Sequence, residues 1–211
     1  VYSGRTAAAA YKLLEGARDR IHRVALFGPA HRVYLKGMAV PSAELFATPL
    51  GGVLVDRVGI EQIASLPEVF VNDEAHRDEH SIEVQLPFLQ TVLEDFSLVP
   101  VVVGDCAADA VAKVIDRLTS DPATLLVVST DLSHFHRYEE AQRRDALTCE
   151  HIVAGKNTLT GEQACGARVL NGFLSSALFH SSQLELLQCC NSGDTAGDRD
   201  RVVGYGAFSL H

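Results

Sequence analysis

The strongest constraint on this chain is a set of short apolar runs, each the length of a β-strand and each closed by a turn or polar residue. Val24–Phe27 stops at Gly28-Pro29, Leu98–Val103 stops at Gly104, and Leu125–Val128 stops at Ser129-Thr130. They fall far short of the roughly 20 residues that a membrane helix needs. Their uninterrupted apolar character predicts strands buried on both faces. Between them lie stretches with helical character at 5–15, 56–66, 79–96, 107–118, 139–153 and 160–180, the last carrying Gly166 and Gly172. Asp56 stands at a cap position, and Pro87 is expected to kink the 79–96 helix or delay its start. Residues 36–55 hold strand-like pieces broken by Pro41, Pro49 and Gly51-Gly52, and 184–188 with 202–210 predict a terminal two-stranded hairpin. Strands alternating with helices make this an α/β chain, one domain over 1–211 with a mainly parallel central sheet flanked by helices.

Composition narrows the function classes. Apolar residues make up 47% and charged residues 21%, enough for a sizeable core and too apolar for a disordered chain. A net charge of −9, with no basic cluster longer than Arg143-Arg144, argues against a nucleic-acid partner. Five cysteines (Cys106, Cys149, Cys165, Cys189, Cys190) are an odd number at no disulfide or zinc-ribbon spacing. The expectation is therefore free thiols in a reducing, cytoplasmic compartment, with no membrane partner. The sequence opens Val1-Tyr-Ser-Gly4 and its only methionine is Met38, so the domain is expected to be incomplete at its amino end.

In α/β sheets the working crevice lies beyond the carboxyl ends of the strands. His31 follows the first run, and Asp131-Leu-Ser-His134 follows the third, where the carboxylate can fix the imidazole tautomer and the pair can act as acid and base near neutral pH. A lone histidine after a strand is more often a loop residue bonded to backbone; two at strand ends together point to a site. Asp78-Glu-His-Ser-Ile-Glu83 opens a helix. Its ordinary reading is a cap at Asp78 or Ser81, with Glu79 or Glu83 complementing the helix dipole. Against that, His80 sits between acids, with Glu83 one turn on to orient or protonate the ring. Cys165 lies beside Gly166, and Cys189-Cys190 reads as structural. No His-Glu-x-x-His, Cys-x-x-Cys, Gly-x-Ser-x-Gly or Gly-x-Gly-x-x-Gly motif occurs. The residues alone describe histidines, acids and a thiol converging on one crevice, with a metal or acid/base enzyme as the default.

Seven stretches in order extend this reading: Tyr2–Gly4, Phe27–His31, Asp78–Phe88, Val99–Gly104, Val128–His134, Ala164–Gly166 and Gly204–His211. Together they resemble the Memo family, called AmmeMemoRadiSam system protein B in microbes, with Glu79–Glu83 and Leu86–Phe88 the most specific part. The resemblance implies a fold like the class III extradiol (LigB-type) dioxygenases, in which two histidines and a carboxylate hold non-haem iron. It places a cysteine in the carboxylate's position. Carried over, His31 is a metal ligand, Cys165 the thiolate ligand, His134 with Asp131 the acid/base pair, and His80 a member of the same pocket. The family's other ligand histidine lies just upstream of a Tyr-Ser-Gly like Tyr2–Gly4. This implies iron or copper in the complete protein, with zinc compatible, and no retained metal in the incomplete chain. A thiolate in place of the carboxylate shifts preference towards copper(I) or zinc and puts ring cleavage in doubt.

Three functions compete: a metal-dependent redox or oxygenase-like protein; an adaptor using the crevice for a small-molecule or peptide ligand; and metal-assisted hydrolysis with Glu79 or Glu83 as base. The microbial name also implies a functional link to a radical-SAM protein.

Overall fold

The computed structural model describes residues 1–211. Helix α1 (Gly4–Tyr11) runs into a 3₁₀ turn (Lys12–Ala17) and leads to β1 (Arg23–Pro29). Next come β2 (Met38–Val40), β3 (Leu45–Thr48), β4 (Gly51–Leu54), α2 (Arg57–Ile63), β5 (Val69–Val71), α3 (Glu74–Arg77), α4 (His80–Glu83) and α5 (Leu86–Val92). The centre of the chain supplies β6 (Ser97–Val103), α6 (Ala108–Leu118), β7 (Thr124–Val128), β8 (His134–His136) and α7 (Tyr138–Val153). It closes with α8 (Ala167–Leu174), α9 (Ala177–His180), β9 (Leu184–Asn191) and β10 (Val202–Leu210).

Five strands form the central sheet in the order β5-β2-β6-β1-β7. β1 pairs in parallel with β6 and β7, and β2 in parallel with β5; only the β2–β6 pair is antiparallel. The sheet is therefore mixed and mostly parallel, in a single α/β domain, as the alternation predicts. β1 and β6 are buried on both faces, which is why they read as unbroken apolar runs. Successive side chains feed opposite cores: Ala25, Phe27, Val99 and Val101 pack with α6 and α8, while Val24, Leu26, Leu98 and Val102 pack with α1, α4 and α5. Each large side chain so buried contributes about 2 kcal/mol. Gly172 of α8 lies where a Cβ would come within 2.4 Å of Val111, so the glycine lets α6 and α8 approach closely.

Three local expectations shift. The 79–96 helix is two short helices, with Pro87 in the first turn of α5, where its missing N–H has no helical partner to lose. The 160–180 helix starts only at Ala167, because the Cys165 N–H is given to the Asp131 carbonyl at 3.2 Å. The terminal hairpin is longer than expected and recruits β8 into a separate antiparallel sheet, ordered β8-β10-β9. Asp56 caps α2 as expected, accepting from the Gly59 N–H at 2.8 Å.

β7 is the edge strand on the α1 side, and its half-buried face borders a largely apolar cavity of about 610 Å³ between α1 and β10. That cavity runs up to Ser129–Asp131, at the end of β7.

Candidate functional site

The end of β1 is shaped by close contact with α4. A Cβ at Gly28 would come within 2.4 Å of Ser81 Oγ, which donates to the Pro29 carbonyl at 3.1 Å. The cap of α4 is neither Asp78 nor Ser81 but Glu79, whose extended backbone turns its side chain back over the helix start. Its Oε1 accepts the N–H groups of His80 (2.9 Å) and Ser81 (3.0 Å). The same carboxylate reaches across to β1, taking the His31 N–H on Oε2 at 2.6 Å and the His31 Nδ1 on Oε1 at 2.8 Å. The Glu79 side chain is 1% exposed. Burial pushes its carboxyl up, but the His31 ring and the N–H groups of His31 and Ser81 outweigh that and bring it down to about 2.

His80 stacks on His31, with ring centroids 4.9 Å apart and planes 17° apart. Its Nδ1 lies 3.6 Å from Glu79 Oε1, so the acid beside His80 is Glu79 rather than Glu83. One donor atom each from His31, Glu79 and His80 lies within 4.8 Å of the others. His31 is also in contact with Cys165. That thiol does most to raise the His31 imidazole; burial opposes it, Glu79 adds to it, and the result is about 9.

The second half of the site is built from main chain. Asp131 N–H donates to Cys165 Sγ at 3.2 Å, and Cys165 N–H donates back to the Asp131 carbonyl at 3.2 Å. Thr130 Oγ1 accepts from the Gly166 N–H at 2.8 Å and lies 3.6 Å from Cys165 Sγ. Glycine is required at 166, since a Cβ would lie 2.8 Å from Thr130. Burial raises the Asp131 carboxyl, against the pull of His134, His31 and His80 through space. His134 makes no hydrogen bond to Asp131; β8 holds it through the Val203 pairing. On its other side Ser133 N–H is fixed by the buried Asp145 at 2.9 Å.

The structure thus places His31 against His80 on one side and Cys165 on the other, with the Asp131 carboxyl acting through space on both rings and His134 one step outside. Sequence reasoning undervalued Glu79, whose signal was its place one residue before a histidine-led helix. It missed Thr130, which precedes Asp131 with a hydroxyl aimed at the Ala164–Gly166 turn. The group whose donor atoms lie close enough together to hold a metal ion is His31, Glu79 and His80, all of them nitrogen or oxygen donors.

The family described as Memo-like protein matches residues 1–209. The chain belongs to that family. Among curated relatives, the MEMO1 family protein TV1383 of Thermoplasma volcanium is 32% identical over 99% of this chain and 80% of its own length. The MEMO1 family proteins of Archaeoglobus fulgidus (34%) and Aquifex aeolicus (32%) each match 97% of the chain and 80% of their own lengths. Six of the seven stretches that carry the Memo resemblance lie within the matched residues 1–209 and the seventh, Gly204–His211, overlaps them; four (Phe27–His31, Asp78–Phe88, Val128–His134, Ala164–Gly166) supply the crevice. No helix of this Memo-like chain is long and apolar enough to cross a membrane.

Proposed function

We propose that this Memo-like chain is a metal-binding protein of redox or oxygenase-like type, with His31 and Cys165 as ligands and His80 as the neighbouring donor. The observation that carries the reading is the 2.8 Å contact between Glu79 Oε1 and His31 Nδ1. With Nδ1–H held by the carboxylate, Nε2 is the ring nitrogen left for an ion, which would displace the second proton that the metal-free ring keeps up to a pH of about 9. Iron or copper is the proposed ion, with zinc as competitor, because the thiol softens a histidine site.

Such an ion, when bound, supplies a redox-active Lewis acid. The chain's own groups do the rest: Glu79 orients His31, the Asp131 N–H stabilises negative charge on the Cys165 sulfur, and His134 with the Asp131 carboxyl holds or releases a proton at the crevice mouth. A fold like the LigB-type dioxygenases belongs to this proposal, without ring cleavage.

The test is metal analysis of the natural full-length protein purified anaerobically. Close to one equivalent of iron, copper or zinc is expected, falling at least tenfold in His31→Ala and in Cys165→Ser. Metal at background in the unaltered protein, or unchanged in both variants, ends the proposal.

A second reading, a non-catalytic adaptor, is favoured by Phe135. It follows His134, is 62% exposed, and has a positive φ of 63° that is rare outside glycine. Under that reading His31→Ala leaves binding of a peptide ligand intact while Phe135→Ala abolishes it.

A further inference from the structure

Away from the crevice, α7 packs across β9 and brings two further thiols together. On α7, Gln142, Asp145 and Cys149 follow at helical spacing on one face. Gln142 and Asp145 line a depression of about 220 Å³ that both Cys189 and Cys190 border. Neighbouring residues of a strand point to opposite faces. Cys190 Sγ lies 2.9 Å from Thr6 Oγ1, on the α1 side, so Cys189 is turned to α7. There its thiol meets that of Cys149 in a shared hydrogen-bonding contact. Cys149 is 1% exposed, whereas Cys189 opens to solvent.

We propose that Cys149 and Cys189 are a peroxide-oxidised pair that closes into a disulfide joining α7 to β9. The accessible Cys189 sulfur attacks hydrogen peroxide; its thiol becomes a sulfenic acid as the O–O bond breaks, and one water leaves. The Cys149 sulfur then attacks that sulfenic sulfur. The S–S bond forms, the S–O bond breaks, and the sulfenic hydroxyl leaves with the Cys149 proton as a second water. Two thiols are oxidised by two electrons in all, and one peroxide is reduced to two waters.

The division of labour matches the surroundings. The hydrogen bond from Cys149 lowers the Cys189 thiol, favouring the thiolate that reacts with peroxide. That same bond, with burial and the nearby Asp145, raises Cys149 and keeps it protonated until a sulfenic acid forms beside it. The bridge would clamp the helix whose Asp145 holds the Ser133 N–H, next to His134.

The test treats the reduced, natural full-length protein with a few equivalents of hydrogen peroxide and maps its peptides without reductant. A linked peptide containing Cys149 and Cys189, released by a thiol reductant, is expected. Its yield should fall at least tenfold in Cys189→Ser and stay within twofold in Cys190→Ser. Cys189→Ser changes a surface position, so the result stands even if Cys149→Ser fails to fold. A bridge from Cys189 to any other cysteine, or Cys189 advancing to the sulfinic acid with Cys149 still free, overturns the proposal. None of these readouts depends on whether the crevice binds metal.

Discussion

At the end of β1, His31 is held by a buried carboxylate; at the end of β7, Asp131 and Cys165 hold each other through main-chain groups. The two strand ends are neighbours in one sheet, and each reaches the crevice through a glycine contact, Gly28 against Ser81 and Gly166 against Thr130. The first half depends on charge: Glu79 accepts N–H groups from His31, His80 and Ser81 while almost wholly buried. The second half depends on neutral groups: the Asp131 and Gly166 N–H groups donate to Cys165 Sγ and Thr130 Oγ1, and one main-chain bond, from the Cys165 N–H to the Asp131 carbonyl, ties the two segments whatever the side chains. The ring is positioned by one group that must stay charged, whereas the sulfur is positioned by several weaker neutral contacts, of which one is purely main chain.

The comparison breaks most readily at Glu79. Glu79→Ala strands three backbone N–H groups and the His31 ring, and should lower unfolding stability by about 3 kcal/mol, read from the urea midpoint. A loss under ~1 kcal/mol would mean the carboxylate does not organise this half. Gly28→Ala should cost about 2 kcal/mol through its clash with Ser81, and Gly166→Ala somewhat less, because its nearest contacts are longer. Thr130→Val, which removes one acceptor from the second half, should cost about 1 kcal/mol by the same measurement.

Acidity sharpens the contrast. In the metal-free protein the ion pair stabilises fully above the ordinary glutamate value and below the ordinary histidine value. The Glu79 contribution fades as pH falls through about 2, and the His31 contribution fades as pH rises through about 9. The bond from the Cys165 N–H to the Asp131 carbonyl involves no ionisable group. Proton NMR of the His31 ring should show a midpoint near 9; one near the ordinary imidazole value would mean the pair is not formed. Smallest of all, His80→Ala should change stability by no more than ~0.5 kcal/mol, since the ring is more than half exposed.

Much of the fold could be read because local rules and burial agree there. Val24–Phe27 and Leu98–Val103 sit at the sheet's centre, so nothing in their surroundings overrides the apolar run. The 160–180 stretch misled because its helical pattern is real only from Ala167; before it, Cys165 is bonded to a residue 34 positions away. His31, Asp131 and Cys165 were legible as strand-end or glycine-adjacent residues. Their partners were less so: a glutamate before a helix is common, and only the β1 loop lying across it turns Glu79 from a dipole complement into the group that sets His31.

What the sequence determined by itself was the class of fold and the supply of chemistry: buried parallel strands from apolar runs too short for anything else, and imidazoles, acids and a thiol at their ends. Tertiary structure decided which of these meet. Glu79 rather than Glu83 reaches the histidines, Cys165 rather than Cys189 reaches the crevice, and Cys149 finds Cys189 across a helix and a strand. Strand periodicity is a local property carried by neighbours in the chain. Contact between side chains dozens of residues apart depends on how the layers pack, and no local pattern encodes it.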